Sequence, residues 1–471
     1  MKNIIKLTLC GLLFAITGCS NEFTQQKMPL VTTPEDVYSS AENIESALLG
    51  CYRNFKNTGS NAFLGGKMYA VFDSRGDDFV NISNYVTLQQ TYEMTVNSTS
   101  TENTNFWLMA YYSINTCNLF IDDMAANNTV EILGQELYDQ YITEAKFLRA
   151  YAYYVLCQLY SQPYSINPQA KAVPLRLTGL SSSGHNDCPR STISDIYNTI
   201  LTDLTPDALN DAPGTFDGVT RASKAAAHML RMRIYMAMEK WGDAITEGNA
   251  ITGYDLADDV TDLYGTDTYN NPEMIFALPM TDQDTPNTQL GLVEYYSPDK
   301  DICSIDTEAG IMSIDGYNNP ADSRIADLTS ESGGYLYTLK YTNQYKLDWV
   351  PMMRYAETLL NLAECYANQS GGAAQAKAAL SKVRSRSLAE ADDDLDINAL
   401  SGDELLTAIY NERRLELLGE GVRGIDIMRR GETFVKGNES TPFRCNVAPN
   451  STYYTWPIPQ SEIAYNKAIN D

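Results

Sequence analysis

A cluster of charged residues near the C-terminus has the side chains that acid–base chemistry would need. Within twelve residues, carboxylates and guanidinium groups are interleaved with leucines at Glu412, Arg413, Arg414, Glu416, Glu420 and Arg423. Positioned carboxylates can act as general acids and bases. Buried charges also persist mainly when they are paired, so the same pattern can be an ion-pair network that clamps a helix to its neighbours. We favour the network and assign structural ion pairs to Arg413, Arg414, Glu416, Glu420 and Arg423.

The other side chains that could carry catalysis or bind a metal form no familiar arrangement. The two histidines are His185, in a polar loop, and His228, on an Ala- and Met-rich helical segment. The chain contains no HExxH, P-loop or GxSxG sequence. Aspartates at 392–396 have calcium-loop spacing, but Ile397 stands where such a loop needs glycine. We therefore expect a protein without enzymatic activity, cofactor or metal.

The composition limits the kinds of partner. The 471 residues carry a formal net charge of −26, which repels phosphate backbones and argues against nucleic-acid binding. Hydrophobic residues make up 44% and charged residues 20%, as in ordinary globular proteins. Tyrosine, at 32 residues, far exceeds tryptophan, at 4. Tyr-rich surfaces suit recognition because the ring offers apolar area together with a hydroxyl group.

The N-terminal residues predict export and a lipid anchor. Lys2 and Lys6 precede an apolar run, 7–16, that is too short to span a bilayer. The run ends in ITGC, which resembles the bacterial lipobox, with Cys19 as its last residue. We predict a signal peptide over 1–18 and lipid on Cys19, so the chain would be anchored to a membrane without spanning it. Seven cysteines follow Cys19 at wide spacing without a CxxC, which argues against a disulfide framework or a zinc site.

Helical hairpins form most of the predicted body. In residues 354–387, apolar positions recur at helical spacing on both sides of a Ser-Gly-Gly break. Residues 222–251 repeat this arrangement, and both hairpins resemble tetratricopeptide units, which must stack to bury their apolar faces. Further helices are predicted over 33–55, 104–125, 136–160 and 192–209. Residues 59–100 are predicted to form a long loop excursion.

These patterns predict an all-α fold of tetratricopeptide-like helix pairs with one irregular region. A lipidated tether over 19–32 would lead into an N-terminal helical region, 33–253. An irregular ligand-binding region, 254–350, would carry short strands at 274–278 and 335–341. A C-terminal helical region would occupy 351–471.

Motifs in consistent order along nearly the whole chain resemble the SusD/RagB family of Bacteroidetes outer-membrane lipoproteins. After the lipobox come TPEDVYSSAENIESALLGCY, RGDD at 75–78, WLMAYYSINTCN at 107–118, EAKFLRAYAYYVL at 144–156, VPL with CPRSTISDIY, and RASKAAA. The most specific matches are RYAETLLNLAE, ERRLELLGEGVRGIDIMRRG and WPIPQSEI.

The resemblance implies a function as well as a fold. It implies a non-catalytic protein that binds nutrient oligomers, usually glycans and in some members peptides, at the outer surface of the outer membrane. It also implies a SusC-like TonB-dependent transporter as partner, with the ligand enclosed between the two proteins. Two other classes remain as alternatives: a polysaccharide hydrolase, and a scaffold that uses its helix pairs only for protein contacts.

Ligand contacts are predicted in two Tyr-bearing regions, 73–92 and 264–349, because helix faces are used for packing. Aromatic rings can lie against sugar faces, while carboxylates, amides and Arg bind hydroxyl groups. The candidates are Tyr295, Tyr296, Tyr317, Tyr85, Tyr92, Asp73, Arg75 and Trp349, with the adjacent pair Tyr295 and Tyr296 as first choice. For any one of these tyrosines, we favour half-buried packing over ligand contact. For RGDD, we favour a turn in which Arg75 pairs with nearby acids over a binding motif.

Overall fold

Antiparallel helix pairs form most of the folded chain. A computed structural model of the protein describes residues 34–56, 63–83, 86–182, 184, 186–439 and 443–470. Its α-helices are α1 Pro34–Val37, α2 Ala41–Lys56, α3 Lys67–Arg75, α4 Gln89–Tyr92, α5 Thr101–Ala126, α6 Val130–Leu133, α7 Gln135–Tyr160, α8 Ile193–Asp203, α9 Phe216–Thr220, α10 Lys224–Ala237, α11 Trp241–Asn249, α12 Val293–Tyr296, α13 Ser323–Ala326, α14 Tyr355–Ala367, α15 Ala373–Ser387, α16 Gly402–Glu416, α17 Arg423–Arg429 and α18 Gln460–Tyr465.

Short strands punctuate the helices. They are β1 Phe79–Asn81, β2 Lys171–Pro174, β3 Arg190–Thr192, β4 Met274–Leu278, β5 Cys303–Ile305, β6 Thr329–Ser332, β7 Tyr335–Thr338, β8 Val350–Arg354, β9 Phe434–Lys436 and β10 Cys445–Val447. One antiparallel sheet has the order β1-β5-β7-β6, and β2-β3, β4-β8 and β9-β10 form two-stranded antiparallel pairs. The predicted all-α fold with short strands is confirmed.

Both predicted hairpins are present, as α10–α11 and α14–α15, and α11 also packs against α14. The Ser223 hydroxyl begins α10 by accepting a 3.1 Å hydrogen bond from the Ala226 amide, as N-cap residues do. The α14–α15 turn needs glycine, because a Cβ atom on Gly372 would lie 2.1 Å from the Tyr366 carbonyl oxygen. The hairpin breaks visible in the sequence are therefore local steric requirements.

Helix α7 is the centre around which the N-terminal helices pack. Every residue from Phe147 to Tyr160 is buried, so this half of the helix has no solvent face. Helices α2, α5 and α8 contact it. The one fully buried carboxylate near its middle, Glu144, accepts hydrogen bonds from Arg221 at 2.9 Å and from Tyr52 at 2.8 Å.

Several predicted elements differ from the structure by more than their terminal residues. The first predicted helix is divided into α1 and α2, and the helix predicted over 192–209 ends at Asp203. The predicted excursion at 59–100 is wrong in part, because α3 lies in the core with all residues from Met68 to Arg75 buried. The mixed polar sequence of α3 does not indicate this burial. Asp73 and Arg75 can be buried because they form hydrogen bonds with distant parts of the chain.

The C-terminal charge cluster is a buried ion-pair network. Arg354, at the junction of β8 and α14, is 1% exposed. Its guanidinium group reaches Glu416 at 2.5 Å, Glu273 at 2.6 Å and Glu420 at 2.9 Å. Lys340 adds a second cation to Glu420 at 2.7 Å. These contacts join β8, α14, α16 and the segment that follows β7.

Glu416 is the carboxylate with the most cationic neighbours in this network. Besides Arg354, it contacts Arg386 of α15 at 2.6 Å and Arg324 of α13 at 3.0 Å. Burial alone would raise the pKa of Glu416, but the guanidinium groups of Arg386, Arg354 and Arg324 hold that pKa well below its usual value. Glu416 is therefore ionised and neutralises cations from three separate elements.

Replacing Glu416 with glutamine should destabilise the protein by about 3–5 kcal/mol, because three buried guanidinium groups lose their shared counter-charge. Urea denaturation followed by circular dichroism measures the loss. The control is Asp207→Asn, which removes the exposed Lys224–Asp207 pair and should leave the unfolding midpoint unchanged. Equal midpoints for Glu416→Gln and the unmodified protein would contradict a stabilising role for the network.

Candidate ligand-binding cleft

The tyrosine pair expected to be the main ligand contact lies in the protein interior. Tyr295 and Tyr296 end the short helix α12, and each has 0% of its surface exposed. The Tyr295 hydroxyl donates to the Gln289 carbonyl oxygen, and the Tyr296 hydroxyl donates to Asp73 at 2.5 Å. The expectation that the pair would project from a loop is wrong, because every polar atom of both rings has an internal partner.

Four other candidates are also packed inside, and one of them is Asp73, the carboxylate that accepts the hydrogen bond from Tyr296. Tyr317 donates to the Ala408 carbonyl oxygen at 3.1 Å, and the Trp349 ring lies 5.8 Å from the ring of Phe216. Arg75 is 1% exposed and donates to the Tyr454 carbonyl oxygen at 2.8 Å. The prediction that Arg75 pairs with nearby acids is wrong within the described residues. Asp77 and Asp78, which follow it in the sequence, pair with arginines of the C-terminal region instead.

The remaining candidates have different placements. Tyr92 ends α4 and lies at the wall of an open cleft. Tyr85 and the predicted lipid-bearing Cys19 lie outside the described residues. Ligand contact therefore stays a prediction for the candidate set, and Tyr92 is its described member that borders an open space.

This cleft lies on the four-stranded sheet and has a volume of about 400 Å³, which is within the range of small-molecule sites. Its walls come from β1, β5, β6, β7, the turn after β5, and two aromatic side chains from elsewhere in the chain. The lining residues are Val80, Asn81, Tyr92, Ser304, Ile305, Asp306, Thr307, Glu308, Glu331, Gly334, Tyr335, Leu336 and Phe443.

Three aromatic side chains line the cleft. Tyr335 is 46% exposed at the start of β7, whereas Tyr337, two residues further along the same strand, is 1% exposed. The Tyr92 and Phe443 rings pack with their centroids 5.1 Å apart. The half-exposed ring of Tyr335 offers a flat apolar surface on which a sugar ring can lie.

The lining of the cleft is also polar and acidic. The Asp306 carboxylate accepts 2.9 Å hydrogen bonds from the Glu308 and Ala309 amides, which fixes the turn after β5. Glu308 and Glu331 are exposed at the rim. Asn81 holds the β1 end of the cleft by donating to the Thr87 carbonyl oxygen at 3.1 Å.

Ion pairs from the C-terminal helices hold the floor of the cleft in place. Arg414 of α16 contacts Asp78 at 2.6 Å, and Arg423 of α17 contacts Asp77 at 2.5 Å, immediately before β1. Asp78 also accepts the Ile311 amide at 2.7 Å, beyond the end of β5. The RGDD aspartates are thus the link between the helical body and the two strands that carry the cleft.

A buried lysine lies next to the aromatic wall. The Lys436 ammonium nitrogen is 4.3 Å from the centroid of the Tyr92 ring and donates to the Ser74 carbonyl oxygen. Burial lowers the pKa of Lys436 to about 7, and no carboxylate contacts it among the described residues. The cation–π contact holds the Tyr92 ring in position.

Sequence reasoning missed Asn81, Asp306 and Phe443 as cleft residues, and it placed Tyr335 only within a broad region. Tyr335 and Tyr337 lie on the same face of β7, so the strand period does not distinguish the exposed ring from the buried one. No local signal connects Phe443 to Tyr92, because they meet only in the folded chain.

Comparison with known proteins gives the family. A model described as the SusD family matches residues 314–471, and one described as starch-binding, associating with the outer membrane, matches residues 26–236. The crystal structure of a SusD superfamily protein from Bacteroides fragilis is 51% identical, with a TM-score of 0.89, over 93% of this chain and 100% of that one. The chain belongs to the SusD family.

Two more distant proteins are similar to this SusD-family protein over nearly its whole length. A SusD-like carbohydrate-binding protein from Bacteroides fragilis is 20% identical with a TM-score of 0.71, over 92% of this chain and 99% of that one. SusD-like protein P25 of Formosa agariphila is 22% identical over 100% of this chain and 98% of the relative.

An interior cavity of this SusD-family protein is too small for a sugar. It has a volume of about 30 Å³ and lies among Arg233, Glu357 and Arg413 in the core, which is room for about one water molecule.

In the described part of the chain, no helix combines the length and apolar character that crossing a membrane requires.

The burial of Asp73 should make stability depend on pH. Burial raises the pKa of Asp73 from 3.8 to about 7, against the hydrogen bonds from Tyr296 and Gly421. Between those values the folded state keeps a proton that the unfolded state has lost, so the free energy of unfolding should fall as pH rises from about 4 to about 7. Asp73→Asn should remove this pH-dependent contribution to the free energy of unfolding, which is on the order of a few kcal/mol.

Urea denaturation of Asp73→Asn and of the unmodified protein from pH 4 to pH 8 tests this pH dependence. The other titrating groups contribute equally to both proteins, so their contributions cancel in the difference. The stability of Asp73→Asn relative to the unmodified protein should rise across that range. Asp282→Asn, at an exposed position, should give a constant difference. A constant difference for Asp73→Asn would show that Asp73 is ionised in the fold.

Proposed function

We propose that this SusD-family protein binds oligosaccharides in the cleft on its four-stranded sheet and does not modify them. A lipid on Cys19 would tether it to the exterior face of the outer membrane. The bound oligosaccharide would then pass to a SusC-like TonB-dependent transporter, which forms the partner surface over the ligand. Residues 254–350 would supply most of the ligand-binding strands.

The observation that carries the proposal is the combination of an exposed aromatic ring with polar groups in one open space. Tyr335 is nearly half exposed in a lining that also contains the Tyr92–Phe443 pair. Thr307, Glu308 and Glu331 add exposed hydroxyl and carboxylate groups to the same lining. Sugar rings have apolar faces and polar edges, so they fit such a surface.

The comparisons support this proposal. One matching family model is described as starch-binding and associating with the outer membrane. A structural neighbour bears the description of a carbohydrate-binding protein. These descriptions refer to binding rather than to a reaction, which favours a binding protein over the hydrolase alternative.

Tyr335→Ala should weaken oligosaccharide binding by about tenfold or more, because the exposed ring contact with the sugar is lost. The chain starting at residue 20 is screened on a glycan array that also carries peptides, and the best ligands are titrated by calorimetry. Tyr345→Ala is the matched control: Tyr345 is 80% exposed, lies outside the cleft lining, and should leave affinity unchanged.

Each alternative gives its own result in this experiment. Binding of peptides alone would support a RagB-like peptide-binding role, and release of reducing ends would reveal a hydrolase. Binding of nothing on the array would favour a scaffold. Unchanged affinity in Tyr335→Ala would place the ligand outside this cleft.

Cys19→Ala should prevent lipid attachment, because the thiol that would carry the lipid is absent. Cell fractionation should move the protein out of the outer-membrane fraction, and metabolic labelling with palmitate should be lost. Cys51→Ala is the control because Cys51 is buried in the fold and should not affect labelling. Unchanged labelling of Cys19→Ala would rule out this anchor.

A further inference from the structure

The charges that surround the cleft have one sign. Asp306, Glu308 and Glu331 place three carboxylate side chains in its lining, and no Lys or Arg occurs among the described lining residues. None of the three carboxylates forms an ion pair within the part of the chain that the structure describes. The field of these acids is therefore not neutralised locally.

The acids come from two parts of the cleft lining. Glu331 lies on β6, opposite Leu336 on β7. Glu308 follows the turn that Asp306 fixes after β5. An oligosaccharide that fills the cleft would therefore meet carboxylates from both β6 and the turn after β5.

Nearby cations do not compensate for these acids. Lys436 and Arg75 are buried, and both donate to backbone carbonyl oxygens inside the protein. Arg444 is exposed and follows Phe443 in the chain, but it is not part of the lining. At longer range the whole chain, with its net charge of −26, repels polyanions.

We infer that the cleft selects uncharged or amino-bearing oligosaccharides and rejects those that carry uronate or sulfate groups. This inference rests on the proposed function and narrows its ligand class. A carboxylate or sulfate bound in this cleft would meet Glu331 and Glu308 without a basic partner in the described lining, so it would lose hydration and experience repulsion. A hydroxyl group at the same place would instead donate to these carboxylates.

The test compares charged and uncharged forms of one glycan backbone. The neutral probes are hexasaccharides of glucose, mannose and galactose; each is also oxidised at C6 to the uronate, and each uronate is converted to its methyl ester. Calorimetry on the lipid-free chain should show uronates binding at least about tenfold more weakly than the neutral parent, with the methyl ester restoring affinity. Salt at 0.5 M should reduce the difference in affinity between the neutral glycans and the uronates, because it screens exposed charges.

Variants assign the effect to the cleft. The double variant Glu308→Gln with Glu331→Gln should reduce the discrimination several-fold while neutral glycans still bind. The control is Glu131→Gln with Glu136→Gln, which makes the same change in net charge at exposed positions outside the cleft lining and should retain the discrimination.

The outcomes distinguish a failure of the charge selectivity from a failure of the proposed oligosaccharide binding. Equal or tighter binding of the uronates, or binding of anionic glycans alone, would overturn the charge selectivity and leave oligosaccharide binding standing. Discrimination unchanged in Glu308→Gln with Glu331→Gln would overturn the assignment to these acids. Binding of no glycan of either kind would refute the proposed function itself.

Discussion

The buried contact between Arg354 and Glu416 is the interaction on which the rest of the structure depends. Isolated charges of this kind are costly to bury, and they are tolerated here because each has several partners. Glu416 alone serves arginines from β8, α13 and α15. The network therefore fixes the position of the C-terminal helices relative to the irregular region, because ion pairs specify individual partners and apolar contacts do not.

The same charge pairing extends to the cleft. Arg414 and Arg423 hold Asp78 and Asp77, and Asp78 holds the segment beyond β5. The arrangement gives a binding surface made of short strands the rigidity of the helical body behind it. Short strands have few ladder hydrogen bonds of their own, so such external support is needed to fix the positions of Tyr335 and Asp306.

The acidic residues have different roles in the core and around the cleft. In the buried ion-pair network, carboxylates are matched by arginines, and the pKa of Glu416 is held low despite burial. Around the cleft they are unmatched, and there the charge is available to act on a ligand. Pairing thus separates the carboxylates that stabilise the fold from those that can influence specificity, although both kinds are the same residues in the sequence.

The sequence by itself determined the helix pairs, their glycine and serine boundaries, and the family, because these depend on local periodicity and on motifs that are continuous in the chain. It did not determine which tyrosines face the ligand. Tyr295, Tyr296 and Tyr335 occur in similar polar surroundings, yet two are fully buried and one is half exposed. Only the tertiary structure decided this, because burial depends on partners such as Asp73 and Phe79, which lie more than two hundred residues away in the chain.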